Sequence, residues 1–415
     1  MNDRLSNSSW RKYVLMKYVI LLTVLAMILI QGMVAAADWP QFRGPNSDGI
    51  SLEKGINRNW NQKPPSLLWK TPMSDDGYAG ASIVKDRLYI LDHKATEDIV
   101  RAIDMKTGKD VWTYTYVDAE KPNYGFSRAT PTVNSGRVYT LGRLGLLNCF
   151  DAKLGKLIWS RNIMTEFKGI KPFWNYAMSV VIDGNKVIAC SGGPGALLVA
   201  LDKTTGKTIW QGGGTREPGY STPVIAEING KRQYIVFTAT DLVGIDSSNG
   251  VEIWSYPWSK KVTPHIPEPL VIGNSIYLTN SYGEGCKMLD ITPEGAKLRW
   301  ENKEMLSHMA TPILVDGLIY GTTDPGDLIC IDPQTGITKW RQSGFEKGPQ
   351  AMVDGVLLVF DGKGGDLVMV DPKPDAYHEL GRFKPLGGQS WTMPIISNGK
   401  LVVRNKTELA CFDLK

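Results

Sequence analysis

The sequence predicts an all-β fold: an eight-bladed β-propeller of four-stranded blades, closed by an N-terminal strand that completes the last blade. Three observations predict it. An Asp–Gly–Trp motif recurs along the chain, short apolar runs sit alike within each repeat, and the final repeat lacks its own last strand. Gly 43 and Pro 24, spread over 415 residues, fit many short elements joined by tight turns.

The motif comes first. "AIDMKTGKDVW" (102–112), "CFDAKLGKLIW" (149–159), "ALDKTTGKTIW" (200–210), "GIDSSNGVEIW" (244–254), "MLDITPEGAKLRW" (288–300) and "CIDPQTGITKW" (330–340) align on three residues. Their anchor pairs are Asp104 and Trp112, Asp151 and Trp159, Asp202 and Trp210, Asp246 and Trp254, Asp290 and Trp300, and Asp332 and Trp340. "MVDPKPDAYHEL" (369–380) keeps only Asp371, and "CFDLK" only Asp413. The eight Asp anchors follow at steps of 39 to 51 residues, the length of one four-stranded blade. Asp should accept hydrogen bonds from the backbone of its own turn, and Gly should take that turn's positive-φ position. Trp opens the fourth strand, where its ring can fill the gap between blades and its N–H needs one partner.

Upstream of each anchor lie two strand-like runs. The first follows a Thr-Pro-like signal, as in "ATPTV" (129–133), "STPVI" (221–225), "ATPIL" (310–314) and "TMPII" (392–396); the second includes "RLYIL" (87–91) and "RVYTL" (137–141). Because the chain stops just after Cys411, the fourth strand of the last repeat must come from elsewhere. "LLWKTP" (67–72) supplies it, with Trp69 in step with the other tryptophans. Closure of this kind leaves no open end to the ring and removes a free sheet edge. WD40 repeats are excluded, since neither a terminal Trp-Asp nor a Gly-His recurs.

Residues 1–37 read as a signal peptide: Arg4, Arg11, Lys12 and Lys17 precede an apolar run that decays into Ala35-Ala36-Ala37. Met16 is an alternative start, and an uncleaved anchor is the rival reading. No Cys lies near the cleavage site, which argues against a lipoprotein, and cleavage would leave no membrane span. The remaining organisation is an extension over 38–65 that packs on the propeller, and the propeller itself over 66–415. Of the net charge of +5, the leader contributes +3. The near-neutral remainder argues against nucleic acid as a partner.

The Asp-x-x-x-Gly-x-x-x-Trp pattern resembles the repeat of the pyrroloquinoline-quinone (PQQ)-type propellers, over roughly residues 67–415. That superfamily includes the quinoprotein alcohol dehydrogenases and the outer-membrane protein assembly factor B family. The segment Trp39-Pro-Gln-Phe-Arg-Gly-Pro further resembles the head of a secreted subgroup. For the dehydrogenases, the resemblance implies a Ca²⁺-bound quinone held between a Trp and a disulfide of adjacent cysteines, with an Asp as base. The present chain has no Cys-Cys pair and no Cys-x-x-Cys-His. No cofactor is therefore expected, PQQ with calcium being the alternative. The five cysteines (Cys149, Cys190, Cys286, Cys330, Cys411) read as small core residues instead of disulfides.

Other chemical signals are sparse. "TGKT" (205–208) lacks the leading Gly of a phosphate loop, and the four histidines show no metal-site spacing. Asp324 and Asp327 read as a solvated turn, with cation binding as the alternative. No catalytic or metal-ligating residue is assigned, and the chain reads as a binding module more than an enzyme.

Geometry supplies a better candidate. In a propeller the first strand of each blade lines the channel, so residues just before it gather at one mouth. They are Tyr78, Arg128, Tyr176, Tyr220, Glu268, His308, Gln350 and Trp391, with Trp174 and His265 beside them. Aromatics with an Arg, a Glu and a His could bind a sugar, a peptide terminus or a small acid. The opening stretch "WPQFRGPNSDGIS" (39–51) invites two readings. Asn46-Ser47-Asp48-Gly49 looks like a metal loop but lacks the distal Glu of an EF-type site. The tether reading has Trp39 and Phe42 packing on the propeller and Arg43 pairing with a loop carboxylate. The functional expectation is a periplasmic or secreted monomeric propeller that acts as a scaffold for an envelope or secreted protein. The alternatives are a PQQ-dependent dehydrogenase, or a carbohydrate-binding module taking a glycan or small molecule at the aromatic mouth.

Overall fold

The Asp–Trp motif decides how one blade meets the next. In the computed structural model, which describes residues 37–122, 124–258 and 264–415, eight antiparallel sheets succeed one another along the chain. The leader, with the alternative start at Met16, falls on residues 1–36 and so lies outside the described residues. Among the described residues no helix is long and apolar enough to cross a membrane.

Blade 1 comprises Ala81–Val84, Arg87–Lys94, Glu97–Asp104 and Asp110–Val117, and blades 2 to 7 repeat that order. Blade 8 has Ile395–Ser397, Lys400–Arg404 and Glu408–Asp413 from the C-terminus. Ser66–Pro72 pairs antiparallel with Glu408–Asp413, Trp69 standing opposite Cys411, and closes the ring. The first strands of blades 1 and 2, 2 and 3, 6 and 7, and 8 and 1 touch one another around the axis. Second and third strands are almost wholly buried, whereas the fourth alternates between buried and exposed, as in Asp110–Val117. An outermost strand packs one face on its neighbour and shows the other to water.

The motif residues act as keys between blades. Asp104 accepts from the backbone N of Lys106 (3.0 Å) and of Thr107 (2.9 Å), and Asp202 does the same with Thr204 and Thr205. These turns bring a Gly beneath the Trp of the preceding blade. At Gly155 (φ +68°) a Cβ would come within 2.5 Å of Trp112. The indole N–H then donates to a carbonyl of the next blade: Trp69 to Met105 (2.9 Å), Trp112 to Ala152 (3.0 Å), Trp159 to Lys203 (3.2 Å), Trp300 to Pro333 (2.9 Å) and Trp340 to Lys373 (2.8 Å). Trp254 bonds Gln233 of its own blade, because the next turn, Thr-Pro-Glu-Gly, has a different length.

The Thr-Pro signals form a second, inner belt. Thr130 N donates to Ser179 Oγ (2.9 Å), Ser179 N to Thr222 Oγ1 (3.1 Å) and Glu268 N to Thr311 Oγ1 (2.9 Å), each bond linking a blade to its successor. Thr392 Oγ1 donates to Tyr78 O (3.0 Å) and joins blade 8 to blade 1. The five cysteines are buried free thiols in five different blades. Burial pushes Cys149, Cys190 and Cys411 up to about 12, which keeps them as neutral core groups.

Candidate functional site

The segment before Ser66 runs inside the ring. Trp39 exchanges two backbone hydrogen bonds with Ile83 of blade 1, both 2.8 Å, and Pro40 O accepts from Val133 N of blade 2. Gly49 O accepts from Met352 N, and Ile50–Ser51 pairs in parallel with the first strand of blade 7. Ser51 Oγ then donates to Ile396 O of blade 8. Contacts with so many innermost strands place residues 39–51 in the channel. Both ends of the segment lie at one rim, by the turns after the first strands: Asp38 caps Lys85 N (2.7 Å), and Glu53 caps Asn398 N (2.7 Å). The bend between them is a re-entrant plug.

Arg43 holds the bend in place. Its guanidinium donates to Thr311 O and Pro312 O (both 3.2 Å) and to Asp48 O (2.9 Å), and its Nε lies 3.1 Å from Glu268 Oε2. Asp48 spends its own carboxylate on Ile50 N (2.9 Å), an Asx turn instead of a ligand set. Gly44 has φ +83° and lies against the ring of Trp39, so a side chain there would be strained and would crowd the indole.

Between the plug and the opposite mouth is a cavity of about 380 Å³. Trp39, Phe42 and Arg43 floor it. Of the mouth residues read from the sequence, Tyr78, Arg128, Trp174, Tyr220, His308, Gln350 and Trp391 line it together. Tyr176 is instead buried behind the wall, its hydroxyl donating to Ser191 O (2.8 Å). Glu268 is turned inward onto Arg43, and burial, outweighing Arg43, pushes it up to about 8. His265 is buried against Phe237, ring centroids 4.2 Å apart.

The walls have distinct chemistries. Tyr78, Tyr124 and Trp391 lie within 20° of parallel, with centroids 5.4–6.0 Å apart, as one aromatic patch. Trp174 meets Tyr220 edge-on at 5.8 Å, and Trp174 N donates to the Tyr220 hydroxyl (3.0 Å). Arg128 donates to Tyr124 O and Gly125 O; burial, then the neighbouring Arg143, lowers it to about 10. Lys347 Nζ sits 5.5 Å from the Trp391 ring centroid, a cation–π distance. His308 Nε2 meets the Tyr282 hydroxyl at 3.1 Å. No Asp or Glu is among the described lining residues. Tyr124 and Lys347 escaped the sequence reading, although one shares a loop with Arg128 and the other precedes Gln350 by three residues.

The calcium-bound quinone implied by the resemblance does not fit these residues. Among the described residues no group of three or more His, Cys, Asp or Glu could hold a metal ion, and no carboxylate faces the cavity as ligand or base. The five thiols are free and lie in five different blades, with no two adjacent in the chain.

Ring, motif turns and plugged channel define a propeller of the PQQ-like class. The chain belongs to the family described as outer membrane protein assembly factor BamB, whose model matches residues 96–342. It is 24% identical over 269 residues to the "Outer membrane protein assembly factor BamB" of Moranella endobia, covering 60% of this chain and 63% of that one. It is 30% identical over 155 residues to the "1-butanol dehydrogenase (cytochrome c)" of Thauera butanivorans, 35% of this chain and 21% of that one. The chain thus spans less than two thirds of these relatives' length. Among solved structures, BamB from Moraxella catarrhalis superposes with a TM-score of 0.62 at 15% identity, covering 84% of this chain and 99% of that one. The quinohemoprotein alcohol dehydrogenase from Comamonas testosteroni does so with 0.67 at 15% identity, covering 91% and 80%. At that identity the likeness is one of fold.

Proposed function

We propose that the chain is an extracytoplasmic recognition module, exported by its leader and working as a monomer. Its propeller presents the channel mouth to a partner of the cell envelope. The observation that carries this reading is the mouth cavity, where aromatic and cationic side chains from several blades converge over a floor of plug residues. A closed ring keyed by indole and hydroxyl contacts holds such a surface with little reorganisation on binding. Relatives named as outer membrane protein assembly factors support a protein partner in the envelope. Affinity capture from envelope extracts tests this: Trp391→Ala should deplete the captured partner relative to wild type, and equal capture by both would refute a role for the mouth.

A second reading, a quinone-dependent dehydrogenase, is favoured by the similarity to the butanol dehydrogenase. Incubation with PQQ and Ca²⁺ followed by gel filtration decides it. Quinone absorbance travelling with the protein, together with dye-linked alcohol oxidation, would establish the enzyme. Their absence leaves the recognition module.

A further inference from the structure

We infer that the mouth cavity is a site for an acidic sugar, a pyranose ring carrying a carboxylate or a sulfate. The inference deepens the recognition reading and rests on it.

Charge is the first argument. Among the described residues, Arg128 and Lys347 join no ion pair, whereas Arg43 in the floor lies against Glu268. Arg128 Nη1 is buried without a hydrogen-bond partner. Two cations in a partly enclosed cavity with no lining carboxylate, Lys347 offset only in part by Asp324 behind His308, make a positive potential that favours an anion.

Shape is the second. Tyr78, Tyr124 and Trp391 stack into one aromatic cluster at the cavity wall, and an aromatic face of this kind packs against the C–H face of a sugar ring. Lys347 stands at its edge, over Trp391, where a charged substituent of that ring would lie.

Hydrogen-bond accounting is the third, and it separates a sugar from a plain aromatic acid. Ser179 and Thr311 line the cavity, and each hydroxyl accepts a backbone N–H while keeping its own O–H to donate. Gln350 is 1% exposed; its amide N–H bonds Thr311 O (2.9 Å), but its Oε1 has no partner. A buried unused acceptor calls for a donor from the ligand, and a sugar hydroxyl supplies one while an aromatic carboxylate does not.

Titration calorimetry on the full chain with glucuronic acid, glucose 6-sulfate, glucose and phenylacetate tests the inference. An acidic sugar should bind at least about tenfold tighter than glucose, and Arg128→Gln and Lys347→Gln should each weaken it about tenfold. Both variants should keep the wild-type melting temperature within a few degrees, and raised salt should weaken binding. The two acids distinguish a uronate from a sulfated sugar. Equal binding of glucose, binding of phenylacetate alone, or no binding of any probe overturns the assignment. If no probe binds while Trp391→Ala still depletes the envelope partner, only the sugar is refuted. If the sugar binds but capture is unaffected, only the partner reading is.

Discussion

Arg43 and Glu268 meet inside the sealed ring, with side chains 2% and 3% exposed. Arg43 also satisfies the buried carbonyls of Thr311, Pro312 and Asp48, and its removal strands these acceptors and leaves a cavity. Arg43→Ala should therefore destabilise the chain by about 2–5 kcal/mol, read as a lowered urea midpoint. An unchanged midpoint would mean that the plug does not depend on Arg43. Burial raises Glu268 and lowers Arg43, both toward the neutral form. Between the ordinary Glu value of 4.5 and about 8, the folded chain holds a proton that the unfolded chain has released. This contribution to stability is full below that window and is lost as pH rises through it. Melting temperature should fall across the window in the wild type and be flatter in Glu268→Gln.

At the scale of the element, the motif turn carries two separable effects, backbone conformation and the seat for a Trp ring. Gly155 has φ +68° and lies under Trp112, whereas Gly184 has φ +60° with nothing within 4 Å of its would-be Cβ. Gly184→Ala should cost about 1 kcal/mol for conformation alone. Gly155→Ala adds overpacking against the indole and should cost about 1–3 kcal/mol more. Equal costs in parallel denaturant titrations would show that the Trp seat contributes nothing. The closing strand carries the same key: Trp69 joins blade 8 to blade 1 through Met105 O, beside Thr71 Oγ1, which donates to Gly108 O (2.6 Å). Trp69→Ala should cost about 3–5 kcal/mol, so blade 8 opens first in thermal unfolding.

At the scale of the molecule, the plug turns an open channel into a cavity with a floor. Removing residues 38–51 takes away the acceptors of Ile83, Val133 and Met352 N–H. Hydrogen exchange at those three amides should accelerate, while amides in the second and third strands keep their protection. Uniform protection after the deletion would count against a plug.

Much of the ring was legible because its keys are local: Asp, Gly and Trp lie within one turn and one strand, and repetition multiplies the signal. The mouth was legible in part, through the rule that residues before the first strand gather at one end. That rule gives position along the axis but not the direction of a side chain, which is why Tyr176 and Glu268 turn away from the cavity that Tyr78 and Trp391 face. Tyr124 and Lys347 stand on loops of irregular length, where no period announces them.

Blade number, strand order, the closing strand and the small core thiols follow from residues close together or repeated at one spacing. The path of Trp39–Ser51, up the channel and back, has no such local cause. Its partners, Ile83, Glu268, Thr311, Met352 and Ile396, lie up to hundreds of residues away and meet it only when the ring has closed.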